Sequence, residues 1–208
     1  MSETLTYTLN ETQLADIQNR LSRLSYDDAN GAIQKMLVAA ATATEDRLKQ
    51  NVSNDILKVR TGNLRNSLQS RVDMINGKWT ASVGSGVRTG GRVPYANILE
   101  TGGTITPVTK QFLAIPIGDA LTPTGVAKFT PTELKDGQAT GYAGSVIIGG
   151  IIFGIANLKS RSQITPLFVL KRSVEIPAKL YMNITLDEMT PDIMGIMTDT
   201  LNKALSNE

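Results

Sequence analysis

The hydrophobic period of this chain changes twice, and that change constrains the fold more than any single motif. Leu14, Ile17, Leu21 and Leu24 recur at three-four-three spacing, which predicts a short helix ending near Ser25 behind a cap at Asn10 or Thr12. From Asp27 to about Val52, the positions Ile33, Leu37, Ala40, Thr44, Leu48 and Val52 form one helical face. The small residues Ala39, Ala40, Ala41 and Ala43 suit that helix to close packing. Thr61 is placed to cap a third, brief helix through Leu68.

Strand signals then take over. Val72 to Ile75 and Lys78 to Val83 flank Asn76-Gly77, a pair that accepts the positive φ angles of a two-residue hairpin turn. Pro94 opens a short helix to about Glu100, which Gly102-Gly103 ends. Phe112 to Ile117 reads as a strand, with Pro116 suggesting a sheet edge. The segment 118–144, with Pro123, Pro131 and several glycines, reads as a long loop or insertion. Ile147 to Ala156 and Leu167 to Val174 read as two further strands around the polar turn Asn157 to Gln163. After Pro177 the helical period returns, clearest from Thr190, where Ile193, Met197, Leu201 and Leu205 recur every four residues and Pro191 falls in a first turn. The expected architecture is α+β in a single domain over 1–208, an antiparallel sheet packed by helices. Its parts are N-terminal helices in 1–54, a sheet core in 55–181 and a C-terminal helix in 182–208.

The chain has no cysteine and no histidine. Disulfides, thiolate nucleophiles, zinc sites with nitrogen or sulfur ligands and histidine general bases are therefore excluded. The carboxylate pairs Glu45-Asp46 and Asp187-Glu188 are adjacent in sequence, so on a helix their side chains diverge by about 100° and do not readily share a metal ion or substrate. No Ser-x-x-Lys or Gly-x-Ser-x-Gly arrangement occurs. The glycine-rich run Gly84 to Arg92 exposes backbone amides, but it lacks the Gly-Lys-Ser/Thr ending of a phosphate-binding loop. It reads as a surface loop carrying Arg88 and Arg92 toward a partner or DNA. No catalytic residue, cofactor or metal site is expected, and the function reads as non-enzymatic.

The N-terminus lacks the basic start and apolar run of a secretory signal, which predicts synthesis and retention in a cytoplasm until use. The longest apolar run, Val146 to Ala156, is interrupted by Gly149-Gly150 and falls far short of the ~20 residues that span a bilayer, so it reads as buried strand. A formal net charge of +2 says little, but its distribution says more. Seven basic residues between Lys58 and Arg92 face one acid, Asp73, whereas the stretch from Asp187 has Asp187, Glu188, Asp192, Asp199 and Glu208 against Lys203. That asymmetry suits head-to-tail subunit contacts, and equally suits solvated faces with no partner.

Three landmarks recur in a fixed order: Thr61-Gly62-Asn63-Leu64-Arg65-Asn66-Ser67, Tyr95-Ala96 through Glu100-Thr101-Gly102-Gly103, and Leu113-Ala114-Ile115-Pro116 followed by Leu167 to Ala178. This set resembles the phage neck and tail-completion proteins of the HK97 gp10-like type and the related Mu gpG-like virion morphogenesis proteins, over roughly Lys58 to Tyr181. Lys179-Leu180 stands where those families usually carry Arg-Pro, which puts in doubt any contact that needs an arginine fork. The resemblance implies a structural virion protein: a hexameric ring at the neck, between the head connector and the tail terminator or tail tube, made in the host cytoplasm. DNA would pass through its lumen, with no membrane and no cofactor. Arg60, Arg65, Arg88, Arg92, Tyr95, Glu100 and Lys179 are the candidate partner or lumen contacts. The alternatives are a tail terminator ring protein and a DNA-binding module using the basic stretch 58–92.

Overall fold

The computed structural model describes residues 15, 19, 26–86, 95–157 and 163–206. The helix expected around Leu14 to Leu24 lies outside the described residues except for Ala15 and Asn19, which are helical. Helices and antiparallel strands alternate in an α+β arrangement. The chain forms two compact units, one of residues 1–101 and 178–208, the other of residues 102–177. The second is therefore inserted into the first along the sequence.

In the first unit, helix α1 (Tyr26–Gln50) continues into a π-helical turn at Asn51–Asp55. The N–H groups of Ile56 and Leu57 both donate to the Asn51 carbonyl in that turn, at 2.9 and 3.1 Å. The short helix α2 (Asn63–Ser67) leads into the hairpin β1 (Leu68–Ile75) and β2 (Lys78–Ser85). Asn76 and Gly77 hold φ of 52° and 74°, so the two-residue turn carries positive φ at both positions, and it pairs Ile75 with Lys78. The strands extend beyond their expected limits at both outer ends. Thr61 does accept the Asn63 amide, at 3.4 Å, but the residue at the cap position is Gly62, at φ 76°.

Alternation along the hairpin decides its packing. Leu68, Val72, Ala81 and Val83 turn toward α1 and join Ala41, Leu48 and Val52 in one apolar cluster. A second stripe of α1, Ala32, Met36 and Ala40, packs on Met189, Ile193, Met197 and Leu201 of the long helix α5 (Tyr181–Ser206). Helix α1 thus lies between α5 and the hairpin. Met36 and Ala32 occupy the buried stripe in place of Ile33, which is only half-buried. Helix α5 begins nine residues before the clearest part of its periodicity, so Pro191 sits inside it and not in its first turn. Proline lacks an N–H, so the Asp187 carbonyl loses its usual helical partner there.

The second unit contains a four-stranded antiparallel sheet in the order β4-β7-β6-β5 and a separate two-stranded pair, β3 (Gly103–Ile105) with β8 (Val174–Ile176). Strand β4 (Leu113–Pro116) is an edge, as the proline suggests. The run expected as one buried strand from Ile147 is instead a hairpin, β5 (Gly144–Ile148) and β6 (Ile151–Ile155), turning at Gly149-Gly150 with φ of 56° and 79°. Ile147 and Ile148 at its tip are 62% and 52% exposed, so the buried-strand expectation fails there. Strand β7 (Ile164–Lys171) pairs with both β6 and β4, with a register shift opposite Ile152 and Phe153.

The segment 118–144 is irregular but packed, contrary to a plain long loop. It contains a 3-10 turn at Gly118–Ala120 and helix α4 (Pro131–Lys135), whose capping box pairs Thr130 with Glu133. Ala120, Phe129, Leu134 and Ala139 from this segment meet Ile152, Leu167 and Phe168 of the sheet. Phe129 meets Tyr142 and Phe168 edge-on, at centroid distances of 5.9 and 6.1 Å.

Candidate assembly surfaces

The helix α3 (Ala96–Thr101) and the start of α5 are tied by one carboxylate. Glu100 is 2% exposed, and its two oxygens accept the backbone N–H groups of Met182 at 2.8 Å and Asn183 at 3.2 Å. These are the N–H donors of the second and third residues, in the first turn of a helix whose preceding residue, Leu180, has an apolar side chain and a φ of 49°. A capping oxygen that would normally come from a Ser or Asp next door is supplied from α3 instead. Around it, Lys179 and Leu180 N–H groups donate to the carbonyls of Leu99 and Glu100, and the Tyr181 hydroxyl donates to the Ala96 carbonyl. Glu100, expected at a partner contact, therefore has its carboxylate committed inside the protomer.

A second polar cluster ties the C-terminal end of α1 to α5. Buried Asn51 donates through Nδ2 to Thr185 Oγ1 and to Glu188 Oε2, each at 2.8 Å. Arg47 donates to the same Glu188 oxygen at 2.8 Å and pairs with Asp55 at 3.2 Å. The Arg47 bond, and after it the Asn51 bond, hold the Glu188 carboxyl below the usual carboxylate range, and the Glu188 bond raises the Arg47 guanidinium in turn. Burial pushes Glu45 up, but bonds from Lys49 and the Ser70 amide outweigh it and leave that carboxyl lowered.

The remaining candidate contacts are dispersed. Arg60 and Arg65 are exposed around α2, and Lys179 is exposed beside the Glu100 cap. Tyr95 is 39% exposed just ahead of α3. Arg88 and Arg92 lie outside the described residues, as does Pro94. Among the described residues, no group of three or more carboxylates is placed to hold a metal ion, and no helix is long and apolar enough to cross a membrane.

Exposed apolar tips are the surface feature that periodicity did not reveal. Met74 and Ile75 are 52% and 48% exposed at the end of the first hairpin, and Ile147 and Ile148 close the second. Val108, in the loop before β4, is 97% exposed. Paired glycines after two isoleucines were the available signal for the second tip. The second unit also has an open depression of about 710 Å³ lined in part by Asp119, Lys128, Tyr142 and Thr165.

Residues 15–102 match the family model HK97-gp10_like, described as Bacteriophage HK97-gp10, putative tail-component. The match bears out the resemblance over the first hairpin and α3, and it also takes in α1, which lay outside that resemblance. It stops where the inserted unit begins. What this part of the chain is similar to is a putative phage tail component. No curated protein and no solved structure matches the chain.

Proposed function

We propose that this protein is a neck or tail-completion subunit that forms a homo-oligomeric ring between the head connector and the tail and lets DNA pass through its centre. The observation that carries the reading is the family match over residues 15–102, joined to the ordered motifs that continue through Leu113–Pro116 to Ala178. The rigid ties at Glu100 and Asn51 suit a subunit that must hold its shape under load. The apolar tips at Met74-Ile75 and Ile147-Ile148 suit contacts with neighbours that cover them. Arg60 and Arg65 face partners or the lumen, Tyr95 and Lys179 flank a contact, and no chemistry is required of any of them.

Electron microscopy of particles, with a label near Glu208, tests the proposal. Density forming a ring at the head-to-tail junction is the expected result and reads out the copy number. Density at the tail end of the neck would favour the terminator reading, and absence of the chain from particles would overturn the structural role. The exposed Lys58, Arg60, Arg65 and Lys78 keep a DNA-binding module as the second reading. Tight, steeply salt-dependent binding of duplex by the isolated chain would favour it, because a ring that only passes DNA should hold phosphates weakly.

A further inference from the structure

The four-stranded sheet of the second unit has two apolar faces, and segment 118–144 covers one of them. On that inner face Ala114, Ile152, Phe168 and Leu170 meet the segment. The outer face carries a row that crosses all four strands, since Ile148 pairs with Ile151, Ile151 with Val169 and Val169 with Ile115. Val146 and Phe153 form the next row. None of these six side chains belongs to an apolar cluster of the described residues; five are half-buried and Ile148 is 52% exposed. An antiparallel sheet with one face in water normally turns polar residues to that face. Here the one charged residue among its paired positions is Lys171, opposite Leu113 at the end of the sheet. A contiguous apolar face of this kind marks a contact surface.

The same chain carries an apolar stripe of matching size. Residues 1–25, apart from Ala15 and Asn19, lie outside the described residues, and those two are helical and exposed. At about 100° per residue, Leu14, Ile17, Leu21 and Leu24 fall within about 80° of helical arc, on the side away from Ala15 and Asn19. From residue 14 to residue 24 a helix rises about 15 Å. Four strands about 4.8 Å apart present a face about 15 Å across. Helix on sheet is one of the few layer arrangements that buries both surfaces.

We infer that the aliphatic stripe of residues 14–24 in one copy covers the outer sheet face of the second unit in the next copy. The stripe is the occupant because its length and apolar spacing match the face and it belongs to the chain outside the described residues. The choice of copy rests on the ring reading above, since a donor and an acceptor on different surfaces make the heterologous contact that repeats around a ring. Apolar burial drives such a contact, so it should persist at salt concentrations that screen exposed charges.

Cross-linking in the full chain tests it, and the chain has no cysteine of its own to interfere. One variant carries Asn19→Cys and another Lys171→Cys, both at exposed positions. A bismaleimide of about 15 Å reach can pass round a helix about 10–12 Å across and join the two thiols. In an equimolar mixture with one variant isotopically labelled, the product joining position 19 to position 171 is expected to exceed the two like-with-like products by at least about fivefold, because docking raises the effective concentration of that pair. Adding Ile151→Asp and Val169→Asp to the Lys171→Cys chain should return the mixed product to the like-with-like level. The reciprocal pair, Ile17→Asp and Leu21→Asp on the Asn19→Cys chain, should do the same, and circular dichroism establishes which of these chains are folded, so that loss of fold in one leaves the other decisive. A mixed product that never exceeds the like-with-like level, or that folded aspartate variants leave unchanged, overturns the inference while the ring reading stands. A chain carrying both cysteines that closes only on itself places the stripe on its own sheet and equally overturns the inference. Particle microscopy reads the ring separately: a chain that cross-links as expected but is missing from particles keeps the contact and loses the ring reading.

Discussion

The Glu100 carboxylate accepts the Met182 backbone N–H at 2.8 Å across a sequence separation of 82 residues. The contact closes the point where the chain leaves the first unit after Thr101 and re-enters it at Ala178. A buried anion at a helix N-terminus satisfies amides that have no intrahelical partner and sits at the positive end of the helix dipole.

Removing that anion should cost the first unit a substantial part of its stability. Glu100→Ala leaves the Met182 and Asn183 amides unpaired in a site that is 2% exposed, which predicts a loss of about 2–3 kcal/mol. Glu100→Gln keeps one acceptor oxygen and should lose about half as much. Urea unfolding followed by far-UV circular dichroism checks both. Equal stability of Glu100→Ala and the native chain would show that the cap contributes nothing.

The same substitution at two glycines should act in opposite directions. A Cβ on Gly154 of β6 would lie 2.5 Å from Leu167 Cδ1 and 2.5 Å from Tyr142 Cδ1, inside the core of the second unit. Gly154→Ala therefore predicts a loss of about 1–3 kcal/mol from overpacking. Gly195, within α5, has nothing within 4 Å of the added carbon. Gly195→Ala should gain about 0.5–1 kcal/mol by restricting the unfolded chain and improving helix propensity. Thermal melts of the two variants displaced in the same direction would contradict this account.

Local signals made some elements legible before the structure and left others hidden. Asn76-Gly77 identified the first hairpin because both residues tolerate positive φ, and the four-residue repeat of Ile193, Met197 and Leu201 identified the buried face of α5. The second hairpin was hidden because Val146 to Ala156 is apolar on both sides of Gly149-Gly150, so no change of polarity marks the turn. The helical period after Pro177 placed the start of α5 within a residue of Tyr181, but its cap, Glu100, is supplied from far along the chain and left no local signal. Segment 118–144 looked like loop because its core residues, Phe129, Leu134 and Ala139, have no common period; tertiary packing alone gathers them. Of the candidate site, the basic residues around α2 could be read from sequence. The internal role of Glu100 and the apolar tips could not.

Stability should depend on pH in a direction set by lowered carboxyls. Glu45 and Glu188 have folded-state pKa values below their ordinary ones, so the unfolded chain binds protons more readily. Their contribution is present above the unfolded carboxyl pKa, near ~4.3, and is lost as pH falls through the folded values. With no histidine in the chain, stability should change little between about pH 6 and 8 and fall on acidification below about pH 4.5. Urea midpoints across that range check the profile. The Arg47→Met variant should flatten part of its acid limb by removing the guanidinium that does most to lower Glu188. An unchanged acid limb would disconnect Arg47 from it.

The tip of the second hairpin should separate folding from assembly. Ile147 and Ile148 are consecutive residues on an edge strand, so they point to opposite faces of the sheet, yet both are more than half exposed. A strand end that is apolar on both sides and carries no lysine or proline lacks the usual protection of a sheet edge, which is expected where a neighbour covers it. Ile147→Lys and Ile148→Lys change side chains that are more than half exposed and whose stems a lysine can replace, so each should shift stability by no more than about 0.5 kcal/mol. Each should nevertheless reduce incorporation into particles several-fold, because a lysine buried at a subunit contact must be desolvated without a partner. Urea unfolding of the purified variants, set against their recovery in assembled particles, distinguishes the two effects. Full incorporation of both lysine variants would mean that the tip remains in solvent in the assembled virion.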